Sequence, residues 1–225
     1  MSLKVKIRLK TNEFEFNLGQ VYGVLHNDAR GLTALGDAVN QAPYKAAPQS
    51  VVLYNKPRNT FVNDGGAIVA PRGVGELQVG AALGIVIGDV ATRLTLDNAL
   101  QAVAGYTVVA DASVPHAVFY RPSLRLKAFD ASCGIGAQVR QNKNPDALTV
   151  RTYLNDELAQ EYNTAIFTRG VAQLLVDVTE FMTLQQGDIL MLGVAHPPVL
   201  AQVGDRVNIE IEQVGTLNHT LEGAL

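Results

Sequence analysis

Val79-Gly80-Ala81-Ala82-Leu83-Gly84-Ile85-Val86-Ile87 is apolar almost without interruption and rich in branched side chains. Such a run reads as a β-strand buried on both faces, because a strand with one wet face alternates polar and apolar residues. Neither this run nor its continuation from Ala81 to Gly88 is long enough to span a bilayer. Covering a strand on both sides takes further sheet and helix, and the flanking sequence supplies both. Leu96 to Val103 is expected to form a short helix, followed by a strand from Tyr106 to Ala110. Upstream, Val21 to Leu25 and Val51 to Tyr54 read as strands, and Leu32 to Val39 as a helix stopped near Pro43.

Farther out, Lys4 to Leu9 and Glu13 to Leu18 alternate with a two-residue period around Thr11-Asn12, the pattern of a hairpin. This sets residues 1–20 apart as an N-terminal extension ahead of a domain over 21–225. Val171, Leu174, Leu175, Val178, Phe181 and Met182 fall on one stripe of a helix expected over Thr168 to Met182. Gly187-Asp188 then turns the chain into a strand, Ile189 to Leu192. Gly204-Asp205 opens the expected last strand, Arg206 to Glu212, in which Val207, Ile209 and Ile211 share a face. The fold class is α+β and β-rich, with glycines marking turns and bulges.

Of 225 residues, 48% are hydrophobic, enough for a full core, and 17% are charged. A net charge of −3 supplies no concentrated positive field, so neither nucleic acid nor a membrane surface is an expected partner. The one basic stretch, Lys4 to Lys10, alternates with apolar residues and reads as a strand with a solvated face. No signal-peptide pattern opens the chain and it holds one cysteine, which together favour a reducing cytoplasm. That cysteine, Cys133, starts a strand signal and reads as a small buried residue rather than a nucleophile. No phosphate loop, dinucleotide fingerprint, zinc spacing or serine-hydrolase elbow is present. His26, His116, His196 and His219 are scattered and read as loop or surface residues.

Several segments in register carry a resemblance. They are Ala42-Pro43-Tyr44-Lys45-Ala46-Ala47-Pro48 with Lys56-Pro57-Arg58-Asn59-Thr60, Ala104-Gly105-Tyr106-Thr107-Val108-Val109-Ala110-Asp111, Arg125-Leu126-Lys127-Ala128-Phe129-Asp130, and Gly187-Asp188-Ile189-Leu190-Met191-Leu192-Gly193. From about Val21 to Leu217 the chain resembles the fumarylacetoacetate hydrolase family. The resemblance implies a mixed β-sandwich roll with a few short helices. It also implies Mg²⁺ or Mn²⁺, held by two glutamates one residue apart on a strand and a downstream aspartate. The ion would chelate a 2-oxo acid and stabilise its enolate, with a lysine adding positive charge.

By position, Asp111 matches the metal aspartate and Lys127 the active-site lysine, and both are candidate catalytic residues. The glutamate positions fall on Gly80 and Ala82, so Asp111 is the single metal ligand carried over and the chain is open to holding no cofactor. The His and Glu used by hydrolysing members fall on Gly31 and Ala34, and the hydroxyl of the family's Gly-Thr turn falls on Val194. Read alone, Asp111 is equally a turn cap or an ion-pair partner of Lys127. Arg58, Tyr120 and Arg121 are either loop residues or the binders of a substrate carboxylate. The segments point to members that isomerise 2-hydroxy-diene dicarboxylates or decarboxylate 2-oxo-ene acids in aromatic-acid catabolism. Expected partners are a small 2-oxo dicarboxylic acid and either a second copy or a homologous subunit. The competing reading is a catalytically silent partner of a metal-competent homologue.

Overall fold

The computed structural model describes residues 7–13, 15–117 and 124–224. Its first strands are β1 (Arg8–Lys10), β2 (Glu15–Asn17), β3 (Val21–Leu25), β4 (Val52–Lys56), β5 (Phe61–Asn63) and β6 (Ala67–Ala70). Next come β7 (Glu76–Ile87), β8 (Val103–Ser113), β9 (Cys133–Ile135), β10 (Thr149–Leu154) and β11 (Glu157–Asn163). The last are β12 (Ile189–Met191), β13 (Val199–Gln202), β14 (Arg206–Ile211) and β15 (Gly215–Gly223). Helices α1 (Ala29–Thr33), α2 (Leu124–Lys127) and α3 (Val171–Thr179) are short.

The larger sheet runs β4-β3-β12-β7-β8-β9-β5, with β13 also on β7, and the smaller runs β11-β10-β14-β15-β6. The β7 run is buried on both faces as its composition requires. Leu77, Val79, Ala81, Leu83, Ile85 and Ile87 join one core cluster together with Val150, Ile209 and Leu217 of the smaller sheet. Ala82 and Val86 face a second cluster with Val109, Ile135 and Tyr54, closed by Ile7 and Leu9 of the N-terminal hairpin. Each fully buried Leu or Ile contributes roughly 1.5–3 kcal/mol, so β7 and its ladder to β8 dominate the packing.

One irregularity positions the site. β12 pairs with β7 at Gly84 to Val86, and β13 pairs with it at Glu76 to Val79. Between them the chain leaves the sheet, and Gly80 to Ala82 have no ladder partner on that edge. The Tyr162 hydroxyl, from β11 of the other sheet, donates instead to Ala81 O at 2.8 Å. Gly80, Ala82 and Asp111 share the face toward the second cluster, because Gly80 pairs with Asp111 and Ala82 with Val109 across the β7–β8 ladder.

Four local expectations are corrected. Leu96 to Val103 holds only a 3-10 turn, Ala99–Ala102, because Asn98 Oδ1 accepts the Thr95 N–H and folds the chain locally. Leu32 to Val39 divides into the end of α1 and a 3-10 turn, Gly36–Asn40, broken where Gly36 adopts φ +51°. α3 stops at Thr179, so Phe181 leaves the stripe and is 64% exposed. Arg206 to Glu212 is not the last strand, since β15 follows and pairs with it.

Candidate functional site

β4, β8 and α2 bring three chemical groups together. Tyr54 and Lys56 are two residues apart on β4 and therefore project to one side. Asp111 comes from β8 and Lys127 from the last position of α2. Lys127 Nζ lies 3.0 Å from Asp111 Oδ2 and 4.5 Å from the centre of the Tyr54 ring. The Tyr54 hydroxyl donates to the same carboxylate oxygen. Lys56 Nζ lies 2.9 Å from Asp111 Oδ1, an ion contact outside good hydrogen-bond direction, so Oδ1 accepts no hydrogen bond among the described residues.

Lys56 is wholly buried and well solvated by protein. Its ammonium donates to Ala112 O at 3.0 Å, to Ser132 Oγ at 3.2 Å and to Lys127 O. Desolvating an ion costs several kcal/mol, and this oxygen shell with the Asp111 charge offsets it. Burial by itself would raise the Asp111 carboxyl. The Lys127 and Lys56 ammonium groups and the Tyr54 hydroxyl outweigh burial and hold it well below the usual carboxylate range. The same environment pushes the Tyr54 phenol up, first by burial and then by the Asp111 charge.

A pocket of about 100 Å³ opens beside this group, lined by Asp111, Lys127, Tyr54, Gly80, Val194 and three histidines, His26, His116 and His196. Burial lowers the His26 and His116 imidazoles, favouring their neutral forms. His116 Nδ1 lies 2.8 Å from Val114 O, which fits an Nδ1–H donor. Asp28, also in the lining, caps α1 and pairs with Arg30 at 2.7 Å. It accepts the His196 N–H at 2.7 Å, which fastens the 192–198 segment over the pocket.

Asp111 and Lys127, singled out in the sequence, are thus adjacent in the pocket. Arg58 sits exposed on the turn after β4 and is not among the pocket-lining residues. Tyr120 and Arg121 lie outside the described residues. Gly31 lines the pocket and Ala34 is exposed. His26, His116 and His196 lie on loops, as read from the sequence, and all three line one pocket, whereas His219 departs from that reading and is buried on β15. Cys133 is buried as expected, and burial pushes its thiol up to about 12, which favours the neutral thiol over the thiolate. Tyr54 and Lys56 were not singled out as site residues, although Tyr54 ends the strand expected from Val51 and Lys56 opens the quoted Lys56-Pro57-Arg58-Asn59-Thr60 stretch.

The side chains present do not fit a divalent cation. Among the described residues no three His, Cys, Asp or Glu side chains are grouped so that they could hold a metal ion. A Cβ at Gly80 would collide with Val194 Cγ1 and stand 2.7 Å from its Cγ2, so a carboxylate there has no room. Asp111 alone would leave Mg²⁺ largely hydrated.

The architecture is a mixed β roll with a lysine-bound aspartate in a cleft beside its central ladder. The sequence profile described as "Fumarylacetoacetate (FAA) hydrolase C-terminal" matches residues 20–222. The chain belongs to the fumarylacetoacetate hydrolase family. It is 39% identical over 194 residues to the 4-hydroxyphenylacetate degradation bifunctional isomerase/decarboxylase of Escherichia coli, covering 86% of this chain and 45% of the relative. It is 31% identical over 155 residues to a mitochondrial oxaloacetate tautomerase of Caenorhabditis elegans, covering 66% of this chain and 72% of that one. The chain spans about half the length of the isomerase/decarboxylases it matches. The fold matches Pseudomonas aeruginosa fumarylpyruvate hydrolase in complex with Mn²⁺ and pyruvate, with TM-score 0.82 and 21% identity over 100% of this chain and 98% of that one. No helix among the described residues is long and apolar enough to cross a membrane.

Proposed function

We propose that the chain is a subunit of an isomerase/decarboxylase acting on 2-hydroxy-diene or 2-oxo-ene dicarboxylic acids in 4-hydroxyphenylacetate catabolism, and that its own chemistry is isomerisation. The observation that carries this is Lys127, an ammonium nine-tenths buried that lines the pocket and is held by Asp111. Moving a double bond next to a 2-oxo group develops negative charge on the oxygen, and a fixed cation in a dry cleft stabilises that charge. Asp111 is too acidic to serve as the base and acts by holding Lys127 in place. His116, kept neutral by burial and lining the same pocket, is suited to carry the proton. Arg58, or Tyr120 with Arg121, would take the distal carboxylate. The relatives' names support the pathway and the reaction types. The test is an assay of the purified chain on 2-hydroxyhepta-2,4-diene-1,7-dioate, with and without Mg²⁺. Isomerisation above the buffer rate is expected in both, and no rate in either would defeat the reading.

A second reading has its own support. Gly80 and Ala82 stand where the family resemblance seats glutamates, which a silent subunit paired with a metal-competent homologue would show. Activity that appears only when a homologous subunit with both glutamates is added would favour it.

A further inference from the structure

We propose that the pocket binds the carboxylate of a small 2-oxo acid directly on the Lys127 ammonium, with no divalent ion. This rests on the pocket being the substrate site, as read above, but not on the chain turning substrate over.

Two ammonium groups, Lys56 and Lys127, meet one carboxylate, Asp111, so the buried group carries one excess positive charge. Asp28 and Arg30 pair with each other and add nothing to the balance. A buried charge without a counter-charge is costly, and a monoanion in the adjoining pocket removes that cost. The free donors belong to Lys127. An ammonium has three N–H groups, and among the described residues only Asp111 accepts one from Lys127, at 3.0 Å. Lys56 is already engaged by three oxygens besides Asp111 and does not line the pocket. The anion's place is therefore at Lys127.

Charge also explains how the site keeps an anion without a metal. Replacing two glutamates by Gly80 and Ala82 removes two negative charges. Omitting one divalent cation removes two positive ones. The net charge presented to the ligand is unchanged, and Val194 fills the vacated carboxylate space.

The experiment is calorimetric titration of the full chain with pyruvate, in EDTA and again in excess MgCl₂. The expected result is binding in both, with dissociation constants equal within about twofold, a difference well under 1 kcal/mol. Lys127→Met is expected to weaken binding at least about tenfold, or 1.4 kcal/mol. Should that variant fail to fold, Gly80→Glu/Ala82→Glu/Val194→Ala makes the reverse test. It restores the two negative charges and their space, and is expected to lose pyruvate binding in EDTA and regain it with Mn²⁺. Wild-type binding that needs Mg²⁺, binding indifferent to Lys127→Met, or no binding at all would each overturn the proposal. Binding without turnover of the diene acid would leave this inference standing and remove only the isomerase reading.

Discussion

Gly80 stands directly opposite Asp111 in the β7–β8 ladder, on the same face of the sheet. A side chain at position 80 would enter the space beside the one carboxylate of the site. That space is taken by the methyl groups of Val194, reaching over from the segment between β12 and β13. The missing acid and the apolar residue that replaces it in space are thus two parts of one packing arrangement.

Gly80→Glu alone is expected to destabilise the chain by about 3 kcal/mol or more, since it forces a carboxylate against Val194 in a buried site. Val194→Ala removes the two colliding methyls. The double variant should be more stable than the sum of the two single changes allows, with a coupling of about 1 kcal/mol or more in urea denaturation. Strict additivity would show that Val194 does not occupy the seat.

Lys56→Met deletes a wholly buried ammonium and leaves Asp111 with one ion partner. Breaking a buried pair from one side costs about 3–5 kcal/mol. Asp111→Asn in the same background should deepen the loss, because it leaves the buried Lys127 ammonium without a counter-charge. Equilibrium unfolding of the four proteins in the cycle checks this, and a loss under about 1 kcal/mol for Lys56→Met would contradict the burial described above.

Stability should fall in acid in two steps. His219 donates from Nδ1 to Gly66 O, and its buried Nε2 has no partner among the described residues, so burial lowers its pKa below the ordinary value. A lowered folded-state pKa means stability is fully present above the unfolded value, ~6.5, and is lost as pH falls through the folded one. His219→Asn keeps a donor for Gly66 O and should flatten part of the slope below about pH 6.5. Asp111 acts in the same direction at lower pH, its stabilisation present above ~3.9 and lost below as the carboxyl is forced to protonate. Chemical denaturation at successive pH values reads both steps. An unchanged slope in His219→Asn would clear that residue of the effect.

Much of the fold was legible because the central strands are made of long apolar runs whose period allows one reading. β7, β8 and β14 follow from Val79 to Ile87, Tyr106 to Ala110 and the alternation from Arg206. The β10–β11 hairpin was not legible. β11 is an outer strand whose Glu157, Leu158, Ala159 and Glu161 are exposed, so it lacks an apolar period. α3 was legible in type and overextended at both ends, since Gly170 caps its start and the chain departs after Glu180.

The site was legible where the resemblance marked residues, at Asp111 and Lys127. It was hidden where the environment is assembled from distant parts of the chain. Nothing near Lys56 in sequence announces that Asp111, Ala112, Lys127 and Ser132 will surround its ammonium. The histidines were missed for the same reason: His26, His116 and His196 come from three separate loops that meet over the gap between β12 and β13.

The account turns on whether this site dispenses with a divalent ion, and the direct measurement is a Mn²⁺ titration of the purified chain followed by electron paramagnetic resonance. The signal of free aqueous Mn²⁺ should grow with added ion as it does in buffer, with or without pyruvate. A stoichiometric loss of that signal, reversed by Asp111→Asn, would contradict the account.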